Sequence, residues 1–123
     1  MHSQPLRKPN EFKNLFRRGS RFFSKHFNFY LLKNNLSNLR LGIVVRKKFG
    51  CAVLRNRVRR VIKESLRTGF PKDPTNPIDL MVVVKDKSEL EPKSFKVKDF
   101  RRTFLGILKR PEAKKFLKVE GRI

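Results

Sequence analysis

Residues 46–67 read RKKFGCAVLRNRVRRVIKESLR, and the rest of the chain is best understood outward from them. At 100° per residue, Leu54, Val58, Val61, Ile62 and Leu66 fall on one side, which predicts an amphipathic helix over Val53–Thr68. Gly69 supplies its stop. On the other side Arg55, Arg59, Lys63 and Arg67 recur at every fourth residue, with Asn56 and Arg60 widening the stripe and Arg57 flanking it. A solvated face normally mixes signs for solubility and intrahelical pairing, yet Glu64 is the only acid in this stretch. Guanidinium groups outnumber ammonium groups, which suits bidentate contact with phosphates and stacking on bases. The pattern therefore predicts a helix with a core face opposite a nucleic-acid face.

Upstream, Phe12, Leu15 and Phe16 stand at helical spacing, with Asn10 as the expected N-cap, Glu11 in the first turn and Gly19 closing the helix. On pattern alone these rings read as core. Strands are expected around Phe22 and over Phe27–Leu32, where Phe27, Phe29 and Leu31 alternate with Asn28, Tyr30 and Leu32. A turn over 34–38 leads to a strand over Arg40–Arg46, with Leu41, Ile43 and Val45 on one face. Downstream, Pro71, Pro74 and Pro77 mark an extended loop, and Ile78–Val84 reads as a strand covered on both faces. Ser94 is the expected cap of a last helix that turns Val97, Phe100, Phe104, Ile107 and Leu108 inward and ends at Pro111. The order is α-β-β-β-α-β-α, an α+β fold. One domain is expected over 1–111, followed by a basic tail over 112–123 that carries Lys114, Lys115, Lys118 and Arg122.

Composition narrows the function. The 123 residues hold 32 Lys+Arg against 10 Asp+Glu, a formal net charge of +22. So large a self-repelling charge makes sense beside a polyanion. The 12 Phe provide for a packed core, so the chain is not a disordered basic tail. No run approaches the roughly 18 apolar residues of a membrane span. Residues 1–9 contain no signal-peptide-like run, and Cys51 is the sole cysteine; both favour a cytoplasmic protein. Catalytic chemistry is missing from the pattern. No two carboxylates pair within the element-forming core, and Asp86, Glu89 and Glu91 cluster in a loop. His2 and His26 are far apart, Cys51 has no ligand partner at zinc spacing, and no phosphate-binding glycine loop occurs.

Arg46-Lys47-Lys48-Phe49-Gly50, Ala52-Val53 and Arg55-Asn56-Arg57-Val58-Arg59-Arg60, continued by Lys63-Glu64-Ser65-Leu66-Arg67, resemble the signature of the bacterial ribonuclease P protein subunit. Asn10-Glu11-Phe12, Leu15-Phe16, Gly19 and Phe29-Tyr30 fit the same family in order, as does the apolar strand Asp79–Val84. Coverage runs from about Pro9 to Lys109, and the joined motifs are far more specific than Arg-Asn-Arg alone.

The resemblance implies an accessory protein bound to a catalytic RNA that removes the 5′ leader of precursor tRNA, with magnesium ions held largely by the RNA. The protein itself would hold no metal, carry no catalytic residue and act as a monomer in the holoenzyme. The implied fold is a two-layer αβββαβα sandwich, ribosomal-protein-like, with a four-stranded sheet and a left-handed βαβ crossover where chirality alone favours the right-handed one. The implied contacts to the catalytic RNA are Arg46, Lys47, Lys48, Arg55, Asn56, Arg57, Arg59, Arg60, Lys63 and Arg67. Phe12, Phe16 and Tyr30 match positions lining a cleft for the single-stranded leader, where aromatic faces stack on any base. Cys51 stands where the family usually has Asn, Arg46 where it has a small hydroxyl residue, and Leu66 where Phe is common. A ribosomal or other structural RNA-binding protein is the alternative that the charge alone leaves open.

Overall fold

The computed structural model describes residues 4–6, 8–34, 39–69, 78–86 and 90–113. Its elements are β1 (Gln4–Pro5), α1 (Pro9–Arg18), β2 (Ser20–Phe23), β3 (Phe27–Lys33), β4 (Arg40–Val44), α2 (Ala52–Gly69), β5 (Ile78–Val84) and α3 (Val97–Leu108). The four long strands and the two-residue β1 form one mixed sheet in the order β1-β4-β5-β3-β2. β3 pairs antiparallel with β2 and β5, while β4 and β5 run parallel, as a connection through α2 permits. Most of the turn over 34–38, the proline loop, the tail from Lys114 onward, His2 and Glu89 lie outside the described residues.

Strand alternation divides the core in two. Phe27, Phe29 and Leu31 of β3 face one side, where they join Val58, Ile62 and Leu66 of α2 and Phe100, Phe104, Ile107 and Leu108 of α3. The rings of Phe27, Phe29, Phe95, Phe100 and Phe104 lie 5.3–6.5 Å apart in a continuous aromatic cluster. Ser65, buried between the two helices, donates to Val61 O at 2.7 Å and to Val97 O at 3.3 Å. Tyr30, Met81 and Val83 face the opposite side and pack with Leu6, Leu15 and Phe12 of the N-terminal segment. Every residue of β5 is buried, because α1 covers part of the second face.

Both helix starts differ from the expected caps. α1 begins at Pro9 with Lys8 as its N-cap, and Glu11 accepts the Lys8 N–H at 3.1 Å. Proline at the first helical position forfeits only an orphan donor, so it displaces Asn10 from the cap. α3 starts after Lys96, whose N–H donates to Asp99 at 2.9 Å, while Ser94 Oγ donates to Glu91 O instead. In each case a carboxylate three residues into the helix satisfies the cap N–H, half of a capping box. β4 stops at Val44, two residues short of the expected end. Gly19 does close α1, but through space rather than handedness. Its φ is −73°, and a Cβ there would lie 2.5 Å from Leu15 O.

Candidate nucleic-acid interface

The polar side of α2 carries the charge that its sequence promised. Asn56, Arg59, Arg60, Lys63, Glu64 and Arg67 line a shallow depression of about 370 Å³. Within it Arg67 donates to both carboxylate oxygens of Glu64, at 3.1 and 2.5 Å. That hydrogen bond holds the Glu64 carboxyl below its ordinary range and raises Arg67 above its own. Arg67 is thus partly neutralised, whereas Arg60 and Lys63 are exposed cations at the centre of the stripe.

Three arginines of the motif are tied to backbone carbonyls. Arg55 Nε donates to Gly50 O at 3.1 Å, fixing the turn that precedes the helix. Arg57 donates to Pro92 O at 2.7 Å and Lys93 O at 3.0 Å, joining α2 to the segment before α3. Arg59 bridges Asn56 Oδ1 at 3.2 Å and Val45 O at 3.4 Å. A guanidinium has five N–H groups, so each keeps donors for a further acceptor while losing freedom it would otherwise surrender on binding. Arg46 and Lys48, grouped with α2 by sequence, line a separate depression at the end of β3 and β5, where Arg46 pairs with Asp86 at 3.2 Å. Lys47 lies exposed in the 3₁₀ turn Lys47–Phe49 between β4 and α2.

On the far face of the sheet the three aromatic candidates form a graded stack. Phe12 lies over β4 so closely that a Cβ on Gly42 would come within 2.6 Å of its ring. Tyr30 is only 7% exposed, and Phe16 packs against it edge to face with centroids 4.8 Å apart. Phe16 itself is 45% exposed. The structure therefore brings all three together but leaves an open ring face at Phe16.

A polar network that sequence reading missed holds α1 in place. Arg40 of β4 donates to both oxygens of its cross-strand neighbour Asp79, at 2.8 and 2.7 Å, and also to Glu11 in the first turn of α1. Asn34 adds a bond to Asp79 at 2.7 Å. The Asp79 hydrogen bond, opposed by desolvation, leads the causes that raise the Arg40 pKa. An acid inside the otherwise apolar run Ile78–Val84 was the available signal, since a buried charge needs a partner. Among the described residues no group of three or more His, Cys, Asp or Glu could hold a metal ion, and no helix is long and apolar enough to cross a membrane.

The family described as Ribonuclease P matches residues 1–110. The chain belongs to the bacterial ribonuclease P protein family. A ribonuclease P protein component from Clostridium botulinum (strain 657 / Type Ba4) is 36% identical over 110 residues, 89% of this chain and 96% of the relative. The RNase P protein structure from Thermotoga maritima superposes with a TM-score of 0.72 at 29% identity, covering 96% of this chain and 99% of that one. That from Staphylococcus aureus gives 0.71 at 25%, covering 94% and 100%. Membership makes the chain a protein subunit of ribonuclease P, an endoribonuclease of tRNA processing, with the ribonuclease P RNA as its partner. The structural RNA-binding alternative has no support in these relatives.

Proposed function

We propose that the exposed side of α2 docks on the catalytic RNA while the α1–sheet cleft receives the single-stranded 5′ leader of precursor tRNA. Arg60 and Lys63 neutralise phosphates and release counterions, and the carbonyl-tethered Arg55, Arg57 and Arg59 offer their remaining N–H groups in fixed directions. Asn56 stands among them as a neutral donor and acceptor. In the cleft Phe16 supplies the stacking face, Tyr30 supports it from below, and Phe12 seats the helix on β4. The observation that carries this reading is an exposed aromatic ring held over the sheet face opposite the one on which the cationic helix packs. The protein contributes binding and orientation, while the RNA holds the magnesium ions and performs the cleavage.

The test is reconstitution with a bacterial ribonuclease P RNA. Cleavage of precursor tRNA at low magnesium is expected to rise on adding the protein. Phe16→Ala is expected to reduce preference for precursor over mature tRNA, with catalytic-RNA affinity retained. Absence of stimulation overturns the assignment of both surfaces, and loss of RNA affinity in Phe16→Ala overturns their separation.

A further inference from the structure

α2 and α3 lie side by side on the sheet face opposite the α1 cleft. Ser65 of α2 donates to Val97 O at the start of α3, and Arg57 reaches Pro92 O and Lys93 O just ahead of it. On this flank the charge of Arg101 adds to the Arg67 hydrogen bond in lowering the Glu64 carboxyl. The polar stripe of α2 therefore meets α3 along a Glu64–Arg101 seam. With Phe100, Phe104, Ile107 and Leu108 turned into the core, the 100° step puts Lys98, Arg102 and Leu105 on the outward line of α3, continued by Lys109 at its end. All four are exposed, spread over about 16 Å of helix. The one acid of α3, Asp99, is committed to the Lys96 N–H.

Three positions on this face are poor choices for the protein alone. Lys98 puts a cation in the first turn, where the helix dipole opposes it. Leu105 leaves a large apolar side chain 43% exposed. Gly106 is an exposed glycine inside the helix, where only proline is less favourable, and a Cβ added there would meet nothing within 4 Å. The fold would accept alanine. A glycine that packing does not require leaves bare backbone for a close approach from outside. Cations flanking an apolar side chain and bare backbone suit a polyanion with an apolar sugar edge, and a second copy of this +22 chain would be repelled.

We propose that the outward face of α3 is a second half of the catalytic-RNA interface, seated in the minor groove of a duplex segment of that RNA. The proposal rests on the α2 docking reading above, because the seam joins the two helices into one surface. Lys98, Arg102 and Lys109 take phosphates along the groove edges, Leu105 lies on ribose, and Gly106 lets the helix backbone approach the 2′-hydroxyls. An A-form duplex shows its sugars in a wide, shallow minor groove, so this contact reads shape and selects no sequence.

The experiment measures binding of the full chain to a bacterial ribonuclease P RNA, and of the reconstituted holoenzyme to precursor tRNA, across a salt series. Gly106→Leu changes no charge and is expected to weaken catalytic-RNA binding about tenfold. Gly106→Ala is expected to raise the urea midpoint yet weaken the same binding about threefold, and it keeps the fold if leucine does not. Lys98→Gln with Arg102→Gln is expected to reduce the salt slope by about two. Catalytic-RNA binding that is unchanged in the Gly106 variants and in the double variant overturns the proposal. A loss confined to precursor tRNA also overturns it, because the face then belongs to the substrate. Arg60→Ala separates the two levels. If it leaves affinity and salt slope unchanged, the α2 docking itself fails; if it lowers both while the α3 variants bind as the wild type does, only the extension onto α3 fails.

Discussion

Breaking the Arg40–Asp79 pair tests how α1 is held on the sheet. Asp79 is 6% exposed and Arg40 20%, and the two share a bidentate contact at 2.7 and 2.8 Å. Removing one partner of a buried pair costs about 3–5 kcal/mol, and the partial exposure of Arg40 lowers this to about 2–3 kcal/mol for Arg40→Ala. Asp79→Ala strands the guanidinium with Glu11 alone, so a similar loss is expected. The double variant leaves no stranded charge at this pair and is expected to lose only about 3 kcal/mol, which makes the coupling about 1–3 kcal/mol. The assay is urea unfolding of all four proteins, with the midpoint shift read at constant m-value. Glu11→Gln, at the more exposed end of the network, is expected to cost about 1 kcal/mol through the cap and the surface ion pair together. Losses that add within about 0.5 kcal/mol would refute the reasoning, since independent sites behave that way.

Gly42→Ala would drive a methyl into the Phe12 ring at 2.6 Å and is expected to cost about 1–3 kcal/mol, measurable by thermal unfolding. Arg57→Ala removes two bonds to the 92–93 carbonyls and is expected to lose about 1–2 kcal/mol in urea, whereas exposed Arg60→Ala stays within about 0.5 kcal/mol while lowering the salt slope of RNA binding by about one. The Glu64 carboxyl, followed by NMR, is expected to titrate below its ordinary range and to return toward it in Arg67→Gln. Because its folded pKa is depressed, the Glu64–Arg67 pair stabilises above the unfolded carboxylate pKa, and that contribution disappears as pH falls through the folded value.

The local patterns were legible because their physics is local. The period of Val58, Ile62 and Leu66 placed the core face of α2, and the alternation of Phe27, Phe29 and Leu31 against Asn28, Tyr30 and Leu32 placed the two faces of β3. The helix starts are marked by Glu11 and Asp99, each at a third helical position where its carboxylate accepts the cap N–H, and not by Asn10 and Ser94. The cationic stripe of α2 was visible, but not that Arg57 reaches a carbonyl 35 residues away or that Arg46 leaves the stripe for the sheet end.

Sequence by itself thus determined the order of elements, the amphipathic faces, the excess of positive charge and, through its motifs, the family. Those follow from residue types at short spacing. Tertiary structure decided which aromatic ring stays open. Phe12 and Phe16 share one helical face, yet Gly42 admits the first ring onto the sheet, while Tyr30 meets the second only edge-on. It also decided that Arg40 and Asp79, 39 residues apart, become cross-strand neighbours that fasten α1 over the sheet. Register between distant strands depends on how the whole core closes, and no local periodicity encodes it.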